Sequence, residues 1–169
     1  SLCITMLGII SFWTGILKIG ERAGVIEALT RKMTSLIHFL FPELPCGHPA
    51  VGSISANLIA NVLGLGWAAT PAGLKAMEDL KELEEERRSA DPMYARSVPE
   101  GTASGEMCTF LIMNISSLQL IPVNIIAYRS QYHSTSPAAV TGPCFAATMV
   151  STLAAVIFCK IMDHLRNPT

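Results

Sequence analysis

Charged side chains leave four runs of this chain untouched: 1–17, 49–74, 107–128 and 134–159. A helix that crosses a bilayer needs about 20 apolar residues. The last run is the cleanest. Pro137 and Gly142-Pro143 lead into Cys144–Cys159, and Lys160, Asp163, His164 and Arg166 follow. Proline suits the first turn of a helix, and Lys160 and Arg166 suit an interfacial end. The first run opens at Ser1 without the basic start or small-residue cleavage site of a signal peptide, and reads as a truncated spanning helix. Residues 19–41 follow another period. Ile19, Val25, Ile26, Leu29, Met33, Leu36, Ile37 and Leu40 recur every three or four positions, with Glu21, Arg22, Glu27, Arg31 and Lys32 between them. This predicts an amphipathic helix lying in a membrane interface or covering a bundle. Phe41-Pro42 and Pro45 end it.

The two middle runs are apolar but not clean. The first holds Asn57, Asn61, Gly64, Gly66, Thr70, Pro71 and Gly73; the second holds Asn114, Ser116, Ser117, Gln119, Pro122 and Asn124. Polar side chains in hydrocarbon are costly unless paired. Gly64-Leu65-Gly66 weakens a helix, and Thr70-Pro71 can cap and open one. The expectation for 49–74 is a helix to about Leu63, an unwound glycine-rich patch, and a new helix near Pro71. Pro122 breaks or kinks the other run. Irregular backbone at membrane depth requires burial in protein or access to water.

The helix opened by Pro71 leaves the apolar region. Leu74, Met77, Leu80 and Leu83 give it one predicted apolar stripe, and its many charges are expected to be solvated. Ser89–Gly105 reads as a connection rich in proline and glycine. Residues 75–106 hold 14 of the 25 charges, so the other 137 residues carry 11, a density of about 8% against about 25% in ordinary soluble domains. Such a chain cannot clothe a water-soluble surface, and it has no basic face for nucleic acid. The fold class expected is all-α: a polytopic helical membrane protein with broken or re-entrant helices and one amphipathic interfacial helix. Residues 1–169 are expected to form one membrane domain, short of an N-terminal span, with 75–106 as its charged excursion. The lipid bilayer is its first partner.

Enzyme signatures are missing. There is no HExxH, GxSxG or Walker loop, and no Asp or Glu falls inside the charge-free runs. His38, His48, His133 and His164 are scattered. The five cysteines (Cys3, Cys46, Cys108, Cys144 and Cys159) form no CxxC, and Cys46 with His48 supplies too few ligands for a metal. Gly64-Leu65-Gly66 does not complete GxGxxG, because residue 69 is Ala. No cofactor and no catalytic residue is expected. What remains is a pair of broken, amide-rich segments, a pattern that in transporters marks a solute site. Asn57, Asn61, Thr70, Asn114 and Gln119 are the candidate solute-binding residues, with Gly64, Gly66, Pro71 and Pro122 making the breaks. Without charge, such a site prefers a neutral polar solute. The plainer alternative is that the amides join helix to helix.

The stretches His48-Pro49-Ala50-Val51-Gly52, Asn57-Leu58-Ile59-Ala60-Asn61 and Gly64 to Pro71, followed by Gly73-Leu74-Lys75-Ala76-Met77, resemble the spore maturation protein A family. Phe110 to Pro122, Trp13-x-Gly15-x-x-Lys18-Ile19 and Gly142-Pro143 extend the resemblance over nearly the whole chain. It implies a multi-pass protein of the bacterial cytoplasmic membrane with a nucleoside-recognition, or gate, domain. It also implies a role in spore maturation and core dehydration, and a companion resembling spore maturation protein B. Two functions follow from this: a transport or permeation component, or a non-transporting scaffold that assembles with the companion or with its own copies. The chain departs from the family pattern at Trp67, where asparagine is usual and where a large ring would cap a site. It departs again at Gln119, where a smaller polar residue is common.

Overall fold

The computed structural model describes residues 22–45, 47–64, 66–89, 98–116 and 119–166, with isolated positions before residue 22. The spanning helix expected over 1–17 falls largely outside them. So do Cys46, Leu65 and Ser117, and the side chains of Val25, Ile26, Glu27, Leu29, Arg31, Lys32 and Trp67. The described residues are helical, with no strand among them.

Helix α1 runs Val25–Leu40. The single helix expected over 19–41 is interrupted at Ala23-Gly24, where Gly24 adopts φ +72°, a left-handed conformation that glycine takes at little cost. The C-terminal half of α1 buries Ile37, Leu40 and Phe41 and leaves Leu36 and Phe39 exposed.

Helix α2 runs Pro49–Val62. Its start is written locally. Pro49 occupies the first turn, and His48 Nδ1 accepts the Ala50 N–H at 3.2 Å. Most of α2 is buried between α1 and the following helix, α3, which runs Gly66–Ser89. Between them Gly64 takes φ +76° and donates its N–H to the Asn61 carbonyl at 2.9 Å, ending α2 on a left-handed glycine.

The expected start of this helix near Pro71 is corrected: α3 begins five residues earlier, at Gly66, with Pro71 inside it. A proline this close to the N-terminus removes one hydrogen bond, and packing against α2 outweighs the loss. The buried stripe of α3 also differs from the expectation. Leu74 is 69% exposed, and the face turned inward is Ala69, Gly73, Ala76, Leu80 and Leu83. Those positions are spaced by four and three, the period of a packed helix, and the small residues among them let the two backbones approach.

Helix α4, Gly105–Ile115, starts at Ser104, whose hydroxyl accepts the Met107 N–H at 3.3 Å. It ends at Ser116. The chain resumes helix at α5, Val123–Gln131, directly after the buried Pro122. The break expected at Pro122 is therefore present. A 3-10 turn at Pro137–Val140 leads into α6, Thr141–Arg166, with Gly142 and Pro143 in its first turn. The segment Pro137–Leu165 has mean hydropathy 1.9 over its most apolar window, yet only 11% of that window is buried. The core helix of a soluble protein would be mostly covered. This one is the described helix long and apolar enough to cross a membrane.

The core is formed by Ile37, Phe41, Leu44, Ile54, Leu58, Leu80, Leu83, Met107 and Phe110, with Ala155 of α6 at its edge. Its centre is α2.

Candidate functional site: an amide cluster where two helix breaks meet

The two breaks, far apart in sequence, are in contact. A Cβ placed on Gly64 would sit 1.7 Å from the Ile121 carbonyl oxygen, so only glycine fits there. The Leu120 N–H donates to the Val62 carbonyl at 2.8 Å. Gly66 faces the Asn124 amide, 3.7 Å from where its Cβ would lie. Helix α6 backs this junction. The Gln119 N–H donates to Thr148 Oγ1 at 3.3 Å, and Thr152 Oγ1 donates to the Ser116 carbonyl at 2.5 Å.

One turn into α2 from the junction lies the amide cluster. Asn61 Nδ2 donates to Asn57 Oδ1 at 3.2 Å and to Asn114 Oδ1 at 2.7 Å. Asn57 Nδ2 passes the chain on to the Ala69 carbonyl at 2.9 Å. Three helices (α2, α3 and α4) are thus joined through two completely or almost completely buried asparagines. The arrangement depends on Gly73. A Cβ there would meet Asn57 Nδ2 at 2.9 Å.

Beside the cluster is a cavity of about 300 Å³, at the lower bound of small-molecule sites. Asn57, Asn61, Asn114 and Thr70 line it with Gly73, Met77 and the buried Phe110, and no charged residue does. The Asn114 amide N–H groups have no acceptor among the described residues, so they remain available to a ligand or water. Thr70 is exposed at the rim, and its hydroxyl bonds back to the Gly66 carbonyl at 3.4 Å rather than capping a helix. Four of the five sequence-derived candidates are therefore brought together. Gln119 is not among the cavity-lining residues and belongs to the break that rests on α6. Gly64, Gly66 and Pro122 form the junction, and Pro71 lies within α3. The sequence reading missed Gly73, Met77 and Phe110. The spacing of small residues in α3 was the signal that pointed to Gly73.

The opposite end of the hairpin is charged, and two of its carboxylates are not solvated as expected. Asp79 is 2% exposed and Glu84 is 3% exposed. Asp79 accepts from Ser53 Oγ of α2 at 2.6 Å and pairs with Lys75 at 3.0 Å. Burial pushes its pKa upward, but the Ser53 and Lys75 hydrogen bonds outweigh that and hold it below the usual carboxylate range. Glu84 accepts the Val98 N–H at 2.6 Å. Arg87 donates to Glu106 at 2.7 Å and to the Glu43 carbonyl at 2.8 Å. Burial again acts upward on Glu106, and Arg87 with the N-terminal amides of α4 brings its pKa below the ordinary value. This end is level with the C-terminal part of α6, where Asp163 lies beside Glu43 and Glu106, and Lys160 sits 4.7 Å from the centre of the Phe39 ring. Among the described residues no three metal-ligating side chains cluster.

Among the described residues, these features define a helical protein with one helix long and apolar enough to cross a membrane and an uncharged, buried amide cluster where two helix breaks meet. No family model and no solved structure matches the chain. A curated relative does: the chain is 40% identical over 162 residues, 96% of its own length and 76% of the relative's, to spore maturation protein A of Bacillus subtilis (strain 168). The chain belongs to the spore maturation protein A family.

Proposed function

We propose that this protein acts in a membrane as a permeation component, holding a neutral polar solute at the cavity beside Asn57, Asn61 and Asn114. The observation that carries this reading is the meeting of the two breaks beside an uncharged amide cluster. Helix α6 serves as a ruler. The junction rests on Thr148 and Thr152, and the charged end is level with Asp163. Fifteen residues of helix separate Thr148 from Asp163, roughly 22 Å, and seven separate it from Thr141, roughly 10 Å. The junction thus falls between the two ends of the span. In this reading α2 and α3 form a re-entrant hairpin, entering from the charged end and returning to it. Buried amides and free N–H donors at that depth suit a solute that offers both acceptors and donors. Nucleosides, which the family resemblance suggests, are the first solutes to try.

The test is uptake of labelled nucleosides and other neutral polar solutes into proteoliposomes. The expected result is a flux that Asn57→Ala and Asn114→Ala each reduce at least tenfold while both variants remain folded. An unchanged flux in both variants removes the site assignment.

A second reading is favoured by the uncovered surface. Helix α5 buries none of its residues, and α6 exposes Val150, Leu153, Ile157 and Leu165. A scaffold that assembles with a companion resembling spore maturation protein B, or with its own copies, would cover such faces. Co-purification of the companion from detergent, retained by wild type and lost when Leu153 and Ile157 on the exposed face of α6 are both changed to Ala without unfolding, would favour this reading.

A further inference from the structure

We propose that the end of α6 away from the charged end carries a site for the phosphate of an anionic phospholipid, built on Arg129 and flanked by Tyr128 and Tyr132. This rests on the reading of α6 as a membrane span and not on the solute site. Arg129 is the only Asp, Glu, Lys or Arg between Glu106 and Lys160. It stands in the last turn of α5. Beyond it the chain folds back on the helix. The Ser134 N–H donates to the Arg129 carbonyl at 2.9 Å, and His133 takes φ +56° in the turn. Arg129 Nη2 donates to Ser134 Oγ at 3.1 Å and to the Ser136 carbonyl at 3.2 Å. Ser136 leads directly into the 3-10 turn and α6. The guanidinium is thereby held at the N-terminal end of α6, opposite the end that carries Lys160 and Asp163.

These bonds use one of the three guanidinium nitrogens. Nε is buried without a hydrogen-bond partner, and among the described residues no carboxylate pairs with the charge. A buried donor that the chain leaves without an acceptor calls for one from outside. Phosphate oxygens match a guanidinium in charge and geometry, and lipid phosphates lie where a span ends. The surroundings select a lipid over free phosphate. Helix α5 buries none of its residues, and Ile121, Ile125, Tyr128 and Tyr132, on it or beside its ends, are exposed. Tyr128 and Tyr132 are four residues apart and so share a face. Tyrosine rings settle at headgroup level, and acyl chains would cover the isoleucines. With no carboxylate paired there to meet an ammonium, an anionic headgroup fits better than a zwitterionic one.

The full chain, purified in mild detergent, is titrated with phosphatidylglycerol, phosphatidylcholine and inorganic phosphate, and bound lipid is counted by native mass spectrometry. Wild type should bind phosphatidylglycerol at least fivefold more tightly than phosphatidylcholine. Arg129→Gln should abolish that preference, Arg129→Lys should restore less than half of it, and Lys81→Gln on α3 should leave it within twofold. An undiminished preference in folded Arg129→Gln would overturn the site. Displacement of the lipid by inorganic phosphate would overturn the choice of a lipid. A second measurement leaves Arg129 intact, in case its variants do not fold. Tyr132→Trp is placed in a chain carrying Trp13→Phe and Trp67→Phe and reconstituted in vesicles of both lipids. Bromine near the headgroup end of the phosphatidylglycerol chains should quench its fluorescence at least twofold more than the same amount on phosphatidylcholine chains. Equal quenching would overturn the proposal. Neither readout involves solute flux, so failure here leaves the solute reading standing, and loss of flux leaves the lipid site standing.

Discussion

Gly73 and Gly52 are both helical glycines, and their surroundings assign them opposite roles. A methyl group on Gly73 would meet the Asn57 amide at 2.9 Å, whereas one on Gly52 would meet nothing within 4 Å. Gly73→Ala is expected to displace Asn57 from the Ala69 carbonyl and lower stability by about 1–3 kcal/mol. Gly52→Ala should raise it by about 0.5–1 kcal/mol through helix propensity. Thermal melts in one detergent check both, and a destabilising Gly52→Ala would show that the space around it is not free. Glu106 gives the residue-scale pH dependence. Its folded-state pKa lies below its unfolded value, so its contribution is complete above the ordinary carboxylate range and is lost as pH falls through the folded value. From about pH 5 down to about pH 2, wild type should lose more stability than Glu106→Gln, which lacks the titrating group. Parallel pH profiles would place the acid sensitivity elsewhere.

At the scale of elements, the two breaks were legible and their junction was not. Gly64-Leu65-Gly66 and Pro122 announce interruptions because glycine supplies the left-handed turn and proline removes a donor. Their contact joins residues far apart along the chain, and local pattern carries no such information. The start of α3 was misplaced because Pro71 reads as an opener, yet a helix tolerates it one turn in when its buried face is strong. That face was itself hidden. Periodicity of large apolar residues selected Leu74 and Met77, whereas the packed stripe runs through Ala69, Gly73 and Ala76, whose small size is what packing there requires. The burial of Asp79 and Glu84 escaped for a related reason: partners such as Ser53 and the Val98 N–H lie on other segments. The junction makes its own prediction. Gly64→Ala adds both a strained backbone at φ +76° and a clash with Ile121, so it should separate the breaks. Its cost should exceed that of Gly73→Ala, and cross-linking between Val62→Cys and Leu120→Cys should fall with it. Retained cross-linking would mean that the junction accommodates a side chain.

For the molecule as a whole, the decisive quantity is which ends share a face of the membrane. Helix α6 has 26 residues, enough at about 1.5 Å each to cross the hydrocarbon. Helix α2 has 14, about 21 Å, which is short of the roughly 30 Å required. If α2 and α3 crossed separately, the Gly64 turn would emerge on the far side. If they return, the turn stays inside and both outer ends face one compartment. Arg87 of α3 bonds to Glu106 and to the Glu43 carbonyl, and those two residues line one small cavity with Asp163 near the C-terminus of α6. In a cysteine-free background reconstituted in sealed vesicles, Gly47→Cys, Ser89→Cys, Thr102→Cys and Arg166→Cys should all react with an impermeant maleimide from one side. Ser136→Cys, beyond the N-terminus of α6, should react from the other. Gly64 cannot serve as a reporter without disturbing the junction, so Leu63→Cys, 39% exposed at the tip, takes its place and should label from neither side as fast as Ser136→Cys. Rapid labelling of Leu63→Cys together with Ser136→Cys would turn the hairpin into two crossings. The amide cluster would then be a packed contact between spans, since a solute site beside the breaks requires that the breaks lie at depth.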